Sequence, residues 1–187
     1  MRAGASVIIT ICWVIAFVVW VVMAFFTKRT VGRAGRGWVA WQLAALLVLV
    51  LVVRGATTIP LHRVLYTTPA LDALAVVLVV AGLVLSLWAR ATLGRNWSGG
   101  VVVKEGHELV QAGPYAIVRH PIYTGLLTMC VGTALNYAEP YGFAVVGAIA
   151  LGTWRKLRRE ERLMEGEFPE AYPDYRRRVK ALIPYVL

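Results

Sequence analysis

Long apolar segments are the feature that most limits what this chain can fold into. The sequence contains five of them, which are residues 5–26, 38–53, 70–89, 122–137 and 141–154. The first would form a helix of about 33 Å, long enough to cross a bilayer. A chain with 59% hydrophobic and 16% charged residues is too apolar for an ordinary soluble domain. We therefore predict an all-α integral membrane protein with about five transmembrane helices, the last two forming a short helical hairpin.

The basic residues lie between the apolar segments and predict an orientation. With the N-terminus outside, the inner regions 27–37, 90–121 and 155–187 hold 17 of the 20 Lys and Arg residues. By the positive-inside rule, this bias predicts a protein of the inner or plasma membrane with a cytoplasmic C-terminus. The net charge of +10 is then explained by the membrane face, and we expect no nucleic acid partner.

Polar residues that could build a site are concentrated on the inner side. The inner loop 90–121 and the tail 155–187 contain eight of the ten acidic residues and two of the three histidines. No ionisable residue falls in the middle of a predicted span, which argues against an ion or proton pathway. We predict that residues 1–89 form a three-helix membrane anchor facing the substrate. Residues 90–187 are predicted to form a cytoplasmic site from the inner loop, the hairpin and an amphipathic helical tail.

The stretch GPYAIVRHPIYTG, residues 113–125, places a polar cluster directly before an apolar segment. Pro121 suits the first turn of a helix, whose positive end would favour an anion. Arg119 and His120 would lie just outside that helix, and Tyr123 one turn inside it. Taken alone, these residues favour a membrane interface over a site, because Arg snorkels and Tyr belongs to interfacial belts.

The tail has the same two interpretations. Lys156 and Glu160 are four residues apart and share a helical face, which is compatible with a site or with a plain salt bridge. The basic runs 158–159 and 176–178 are most simply contacts with membrane lipid headgroups.

Together, the loop and the tail resemble the isoprenylcysteine carboxyl methyltransferase and phospholipid methyltransferase superfamily. The resemblance covers about residues 90–187 in two motif blocks. The first block consists of residues 107–110, 113–115 and 119–125, and the second of Glu160, Glu161, Leu163, Phe168, Tyr172, Tyr175, Arg178, Val179, Ile183 and Pro184.

The resemblance implies S-adenosyl-L-methionine as methyl donor, S-adenosyl-L-homocysteine as product, and no metal. The implied cofactor-binding positions are His107, Glu108, Leu109, Val110, Gly113, Tyr115, His120, Pro121, Ile122, Tyr123 and Glu160. The catalytic candidates are Lys156, Glu160, Glu161 and His120, and the substrate-binding candidates are Lys156 and Arg155. Lys156 stands where eukaryotic prenylcysteine enzymes carry an arginine, and Pro169 replaces a usual glycine, so the substrate need not be that of those enzymes.

The predicted activity is methyl transfer to a lipophilic acceptor that enters from the bilayer, such as the carboxylate of a prenylcysteine-like or other lipid-like molecule. A phospholipid or amine N-methyltransferase is an alternative, and it would need a base such as His120 or Glu161. Two further alternatives are an NADPH-dependent membrane enzyme resembling sterol reductases, and a non-catalytic protein that binds headgroups.

Overall fold

The computed structural model describes residues 2–26, 68–94 and 109–186, and these ranges are helical without a strand. A short 3₁₀ helix, Gly113–Ala116, stands before the third of the five α-helices in these ranges. The helices are α1 (Arg2–Ala24), α2 (Pro69–Leu93), α3 (Pro121–Tyr137), α4 (Pro140–Glu167) and α5 (Ala171–Arg178). The predicted all-α class is confirmed. The predicted span 38–53 lies outside the described residues.

Within the described residues, two helices are long and apolar enough to cross a membrane. They cover Arg2–Met23 and Pro69–Leu93, with mean hydropathies of 2.7 and 2.6. Large apolar side chains on their outer faces, such as Val7, Phe17 and Val77, are more than half exposed, as lipid-facing residues would be. These findings fit the predicted membrane protein, while the five-span topology and its orientation stay predictions.

α3 and α4 form the expected hairpin, but α4 is longer than predicted. Ala138 adopts a left-handed conformation (φ 54°) that ends α3, and Pro140 begins α4. The predicted last span, 141–154, continues without interruption to Glu167 as one helix of 28 residues. No Gly or Pro interrupts residues 153–165, and their Leu, Arg, Lys and Glu residues favour a helix. The apolar hairpin and the polar site therefore share one rigid element.

α2 and α3 pack so closely that their backbones touch. A Cβ atom at Gly125 would lie 2.2 Å from the Ser86 hydroxyl oxygen and 2.5 Å from the Gly82 carbonyl oxygen. At Gly132 it would lie 2.7 Å from the Ala75 carbonyl oxygen. Small residues at such a crossing allow extensive van der Waals contact, which drives helix association in lipid.

α1 completes the helical layer through apolar and polar contacts. Its Ile9, Cys12 and Ala16 belong to one buried cluster with residues of α2 and α3. The indole of Trp13 donates a 3.0 Å hydrogen bond to the Thr133 hydroxyl, and the Ser6 hydroxyl donates one of 2.9 Å to Asn136. Cys12 is a free, buried core residue.

Substituting Gly125 tests the contact between α2 and α3. Gly125→Ala should lower the free energy of unfolding by about 1–3 kcal/mol, because the new methyl group overlaps Ser86 and the facing backbone. Gly147→Ala is the matched control in α4, where a Cβ would meet nothing within 4 Å. Thermal unfolding in detergent compares the two variants. Equal stability would contradict the close crossing.

Candidate active site

The loop before α3 turns tightly over the end of α2. Gly113 has a positive φ of 59°, and a Cβ there would lie 3.2 Å from the Thr92 hydroxyl oxygen. Pro114 is fully buried, and Tyr115 packs in an apolar cluster. The Tyr115 carbonyl accepts a 2.6 Å hydrogen bond from the hydroxyl of Tyr175 in α5. The loop is therefore packed between the end of α2 and the tail.

The C-terminal tail runs alongside the loop motif. Val118 and Lys180 form an isolated parallel β-bridge. The backbone N–H groups of Arg119 and His120 donate to the carbonyls of Lys180 and Ala181 at 2.8 and 3.0 Å. These bonds place the two residues between the tail and α4, although the paired residues are 61 positions apart in sequence.

Arg119 is a buried connection between three segments. Its guanidinium donates to the Glu161 carboxylate of α4 through two nitrogens, one of them at 3.0 Å. It also donates to the carbonyls of Val179 and Arg176 in the tail. The Arg119 and Glu161 side chains are 7% and 4% exposed, so Arg119 does not snorkel into the lipid interface.

Glu161 is an ionised carboxylate held by positive charge. Burial raises its pKa, but the adjacent His120 and the hydrogen bonds and charge of Arg119 outweigh burial and lower the pKa to about 2. His120 Nε2 lies 3.5 Å from Glu161 Oε1. A carboxylate with so low a pKa is a weak base at neutral pH, which argues against proton abstraction by Glu161.

Four of the predicted site residues form a second group, here called the Glu160 cluster: His120, Tyr123, Lys156 and Glu160. The Tyr123 hydroxyl donates a 2.7 Å hydrogen bond to Glu160 Oε1. Lys156 Nζ and His120 Nδ1 each lie 3.8 Å from a Glu160 carboxylate oxygen. The His120 and Tyr123 rings stack at 5.8 Å, and Lys156 Nζ lies 5.2 Å from the Tyr123 ring centroid.

The two adjacent glutamates have different surroundings. Successive helical residues differ by about 100° in direction, so Glu160 faces Tyr123 while Glu161 faces Arg119. The Glu160 side chain is 21% exposed against 4% for Glu161. Burial lowers the pKa of Lys156, and the charge of Glu160 partly offsets this. The Glu160 carboxylate is therefore the more accessible of the two carboxylates.

The other predicted site positions are apolar residues of the loop and of α3, or lie away from the Glu160 cluster. Leu109 packs against Tyr172 and Tyr175, and Val110 packs beside Tyr115. Pro121 and Ile122 are buried at the start of α3, whereas Arg155 is exposed on α4. His107 and Glu108 lie outside the described residues.

Sequence reasoning missed two contributors to the site. Thr124 donates a 2.8 Å hydrogen bond to the Leu182 carbonyl, which fixes the tail on α3. Arg90, fully buried at the end of α2, donates to the carbonyls of Gly94 and Met23 at 2.7 and 2.8 Å. The sequence signal for Arg90 was an arginine at the end of an apolar run. A snorkelling arginine has the same sequence context, so this signal did not identify a buried residue.

Metal ligands were not expected at this site. In the described parts of the chain, no three His, Cys, Asp or Glu side chains come together as a group able to hold a metal ion. Metal independence remains a prediction.

The low pKa of Glu161 predicts acid sensitivity. Its folded-state pKa lies below the ordinary 4.5, so ionised Glu161 stabilises the fold above about pH 4.5, and this stabilisation is lost as the pH falls towards about 2. Glu161→Gln should flatten that part of the profile. It should also destabilise the protein at neutral pH, because Arg119 loses its buried partner. Thermal unfolding across this pH range measures both effects. Exposed Glu167→Gln is the control, and a Glu161→Gln profile parallel to wild type would contradict the pairing.

Comparison with known proteins agrees with the resemblance in the two motif blocks. Residues 74–166 match the isoprenylcysteine carboxyl methyltransferase (ICMT) family. Protein-S-isoprenylcysteine O-methyltransferase B of Arabidopsis thaliana is 31% identical over 115 residues, which cover 58% of this chain and 57% of the relative. Protein-S-isoprenylcysteine O-methyltransferase of Mus musculus is 33% identical over 123 residues, which cover 62% of this chain and 42% of the relative.

A relative with a different name shares the same region. The nickel-cobalt-cadmium resistance protein NccN of Alcaligenes xylosoxydans xylosoxydans is 34% identical over 96 residues, covering 50% of this chain and 45% of the relative. The chain thus spans about half the length of the curated relatives it matches. The matched region and the isoprenylcysteine methyltransferase relatives support the isoprenylcysteine carboxyl methyltransferase superfamily as the family of this chain.

Proposed function

We propose that this protein is an integral membrane methyltransferase that uses S-adenosylmethionine. It methylates a carboxylate on a lipophilic acceptor, prenylcysteine-like or otherwise lipid-like, at the cytoplasmic membrane face. Residues 1–89 anchor the enzyme and face the acceptor, and residues 90–187 carry the site. The Glu160 cluster is the observation that carries this proposal, because it joins the loop motif and the tail motif in one reachable charged group. The names of the isoprenylcysteine methyltransferase relatives support the reaction class.

The residues of the cluster fit the charges of the cofactor. S-adenosylmethionine supplies an electrophilic methyl group when it is bound. The Glu160 carboxylate suits its cationic groups, and the faces of Tyr123 and His120 suit a sulfonium. Its carboxylate suits the positive end of α3, which begins at Pro121.

Several side chains act by positioning others. The Tyr123 hydroxyl fixes one carboxylate oxygen of Glu160. The buried Arg119–Glu161 pair holds the tail and α4 on both sides of His120. Methyl transfer is an in-line displacement, so rigid alignment of donor and acceptor contributes directly to its rate.

Lys156 is the residue we assign to the acceptor. Its ammonium lies against Tyr123 and near Glu160, partly removed from water, where it can hold the acceptor carboxylate. A carboxylate is already anionic and needs no base, whereas an amine acceptor must lose a proton. Because Glu161 is ionised but has a pKa of about 2, it is poorly suited to take that proton. An amine acceptor would then need His120 as its base, whereas the ammonium of Lys156 supports a carboxylate acceptor directly.

Cofactor binding is tested with S-adenosylhomocysteine. Calorimetry on the detergent-solubilised protein should show binding, and Glu160→Gln should weaken it by about 1–3 kcal/mol, as the loss of a charge-assisted hydrogen bond does. Glu167→Gln, on an exposed part of α4, should keep wild-type affinity. No binding of S-adenosylhomocysteine, together with binding of NADPH, would reject the methyltransferase in favour of a reductase.

The role of Lys156 is tested by separating turnover from cofactor affinity. Lys156→Met should lose at least about tenfold in kcat/KM for a prenylcysteine acceptor, which corresponds to about 1.4 kcal/mol, and should keep its affinity for S-adenosylhomocysteine. Lys156→Arg retains the charge and should recover part of the turnover. Equal losses of turnover and cofactor affinity in Lys156→Met would remove Lys156 from the acceptor site.

A further inference from the structure

A polar cavity opens on the face of α4 that carries Glu161. It has a volume of about 240 Å³, and no residue of the Glu160 cluster borders it. We call it the basic cleft and define it by Trp154, Arg158, Arg176 and Lys180; its other lining residues are Arg119, Glu161, Ala181 and Val186. The cleft is therefore a different space from the proposed cofactor site.

The basic cleft carries an excess of positive charge. Arg119 and Glu161 neutralise each other by their buried pairing. Three cationic side chains remain around the cavity, with Arg176 also paired to Glu165 and Arg158 4.0 Å from Glu161. Guanidinium and ammonium groups that converge on a small cavity are suited to a phosphate.

The side of the cleft towards the predicted membrane is apolar. The Arg158 guanidinium lies 5.5 Å from the Trp154 ring centroid. Leu151, one helical turn before Trp154 on the same face, is half exposed. The C-terminal residues Tyr185 and Val186 are strongly exposed although apolar, and Val186 lines the cleft itself. A basic cavity continuous with an exposed apolar surface matches a molecule with an anionic head and hydrocarbon chains.

We propose that the basic cleft binds the phosphate of an anionic phospholipid headgroup, whose acyl chains lie along Leu151 and the C-terminal residues. The lipid would contact both α4 and the tail. It would therefore stabilise the junction between these two segments, which Arg119 also connects through its hydrogen bonds. The inference does not depend on methyl transfer.

The test measures lipid binding to the full-length protein in neutral detergent by native mass spectrometry. Wild type should bind phosphatidylglycerol in preference to phosphatidylcholine. Arg158→Gln and Lys180→Gln should each weaken phosphatidylglycerol binding about fivefold, the contribution of one basic residue near an anionic headgroup. Lys180→Gln is the safer variant for folding, because the fold uses the Lys180 backbone carbonyl and its side chain is exposed.

Arg159→Gln is the matched control, since it removes one exposed charge from α4 outside the cleft. It should bind lipid like wild type. An equal loss in Arg159→Gln and Lys180→Gln would show diffuse surface attraction, and unchanged binding in both cleft variants would also reject the site. Inorganic phosphate competing as well as phosphatidylglycerol would mean that the cleft takes a free anion, not a lipid. Affinity for S-adenosylhomocysteine should be unchanged in Lys180→Gln, so failure here is distinguishable from failure of the proposed function.

Discussion

The buried ion pair between Arg119 and Glu161 is the interaction on which the site depends. It joins the loop before α3 to α4, and through the Val179 and Arg176 carbonyls it also holds the tail. Removing one member of a buried pair leaves the other charge buried without a partner. This typically lowers the free energy of unfolding by about 3–5 kcal/mol. The pair also draws the pKa of Glu161 down, so this carboxylate serves as a structural anion.

Because α4 is continuous, its two adjacent glutamates point in different directions and have different contacts. Glu161 faces the protein interior and organises it, whereas Glu160 faces Tyr123 and Lys156 and stays within reach of a ligand. Because the same helix also forms half of the α3–α4 hairpin, Glu160 is held in a fixed position relative to the apolar segments. A lipophilic acceptor that enters from the bilayer would thus meet a rigid site.

Residue patterns predicted much of this arrangement. The apolar runs predicted the positions of α1, α2 and the hairpin, because burial of backbone polar groups in lipid demands helices. The family resemblance implied that His120, Tyr123, Lys156 and Glu160 belong to one site. The length of α4 was missed, since a change from apolar to charged residues was interpreted as the end of an element although helical propensity continued. The buried role of Arg119 was missed because an arginine beside an apolar run has the same local sequence whether it meets lipid or a carboxylate.

The sequence by itself determined the helical class, the family and the identity of the charged residues, since these follow from composition, periodicity and local motifs. The tertiary structure alone decided which glutamate is buried and which is reachable, and which cations are paired. Those distinctions arise where residues about 40 to 60 positions apart meet, as Arg119 does with Glu161 and with the Val179 carbonyl. Burial and pairing depend on that meeting, so charge and pKa become functional properties only in the folded chain.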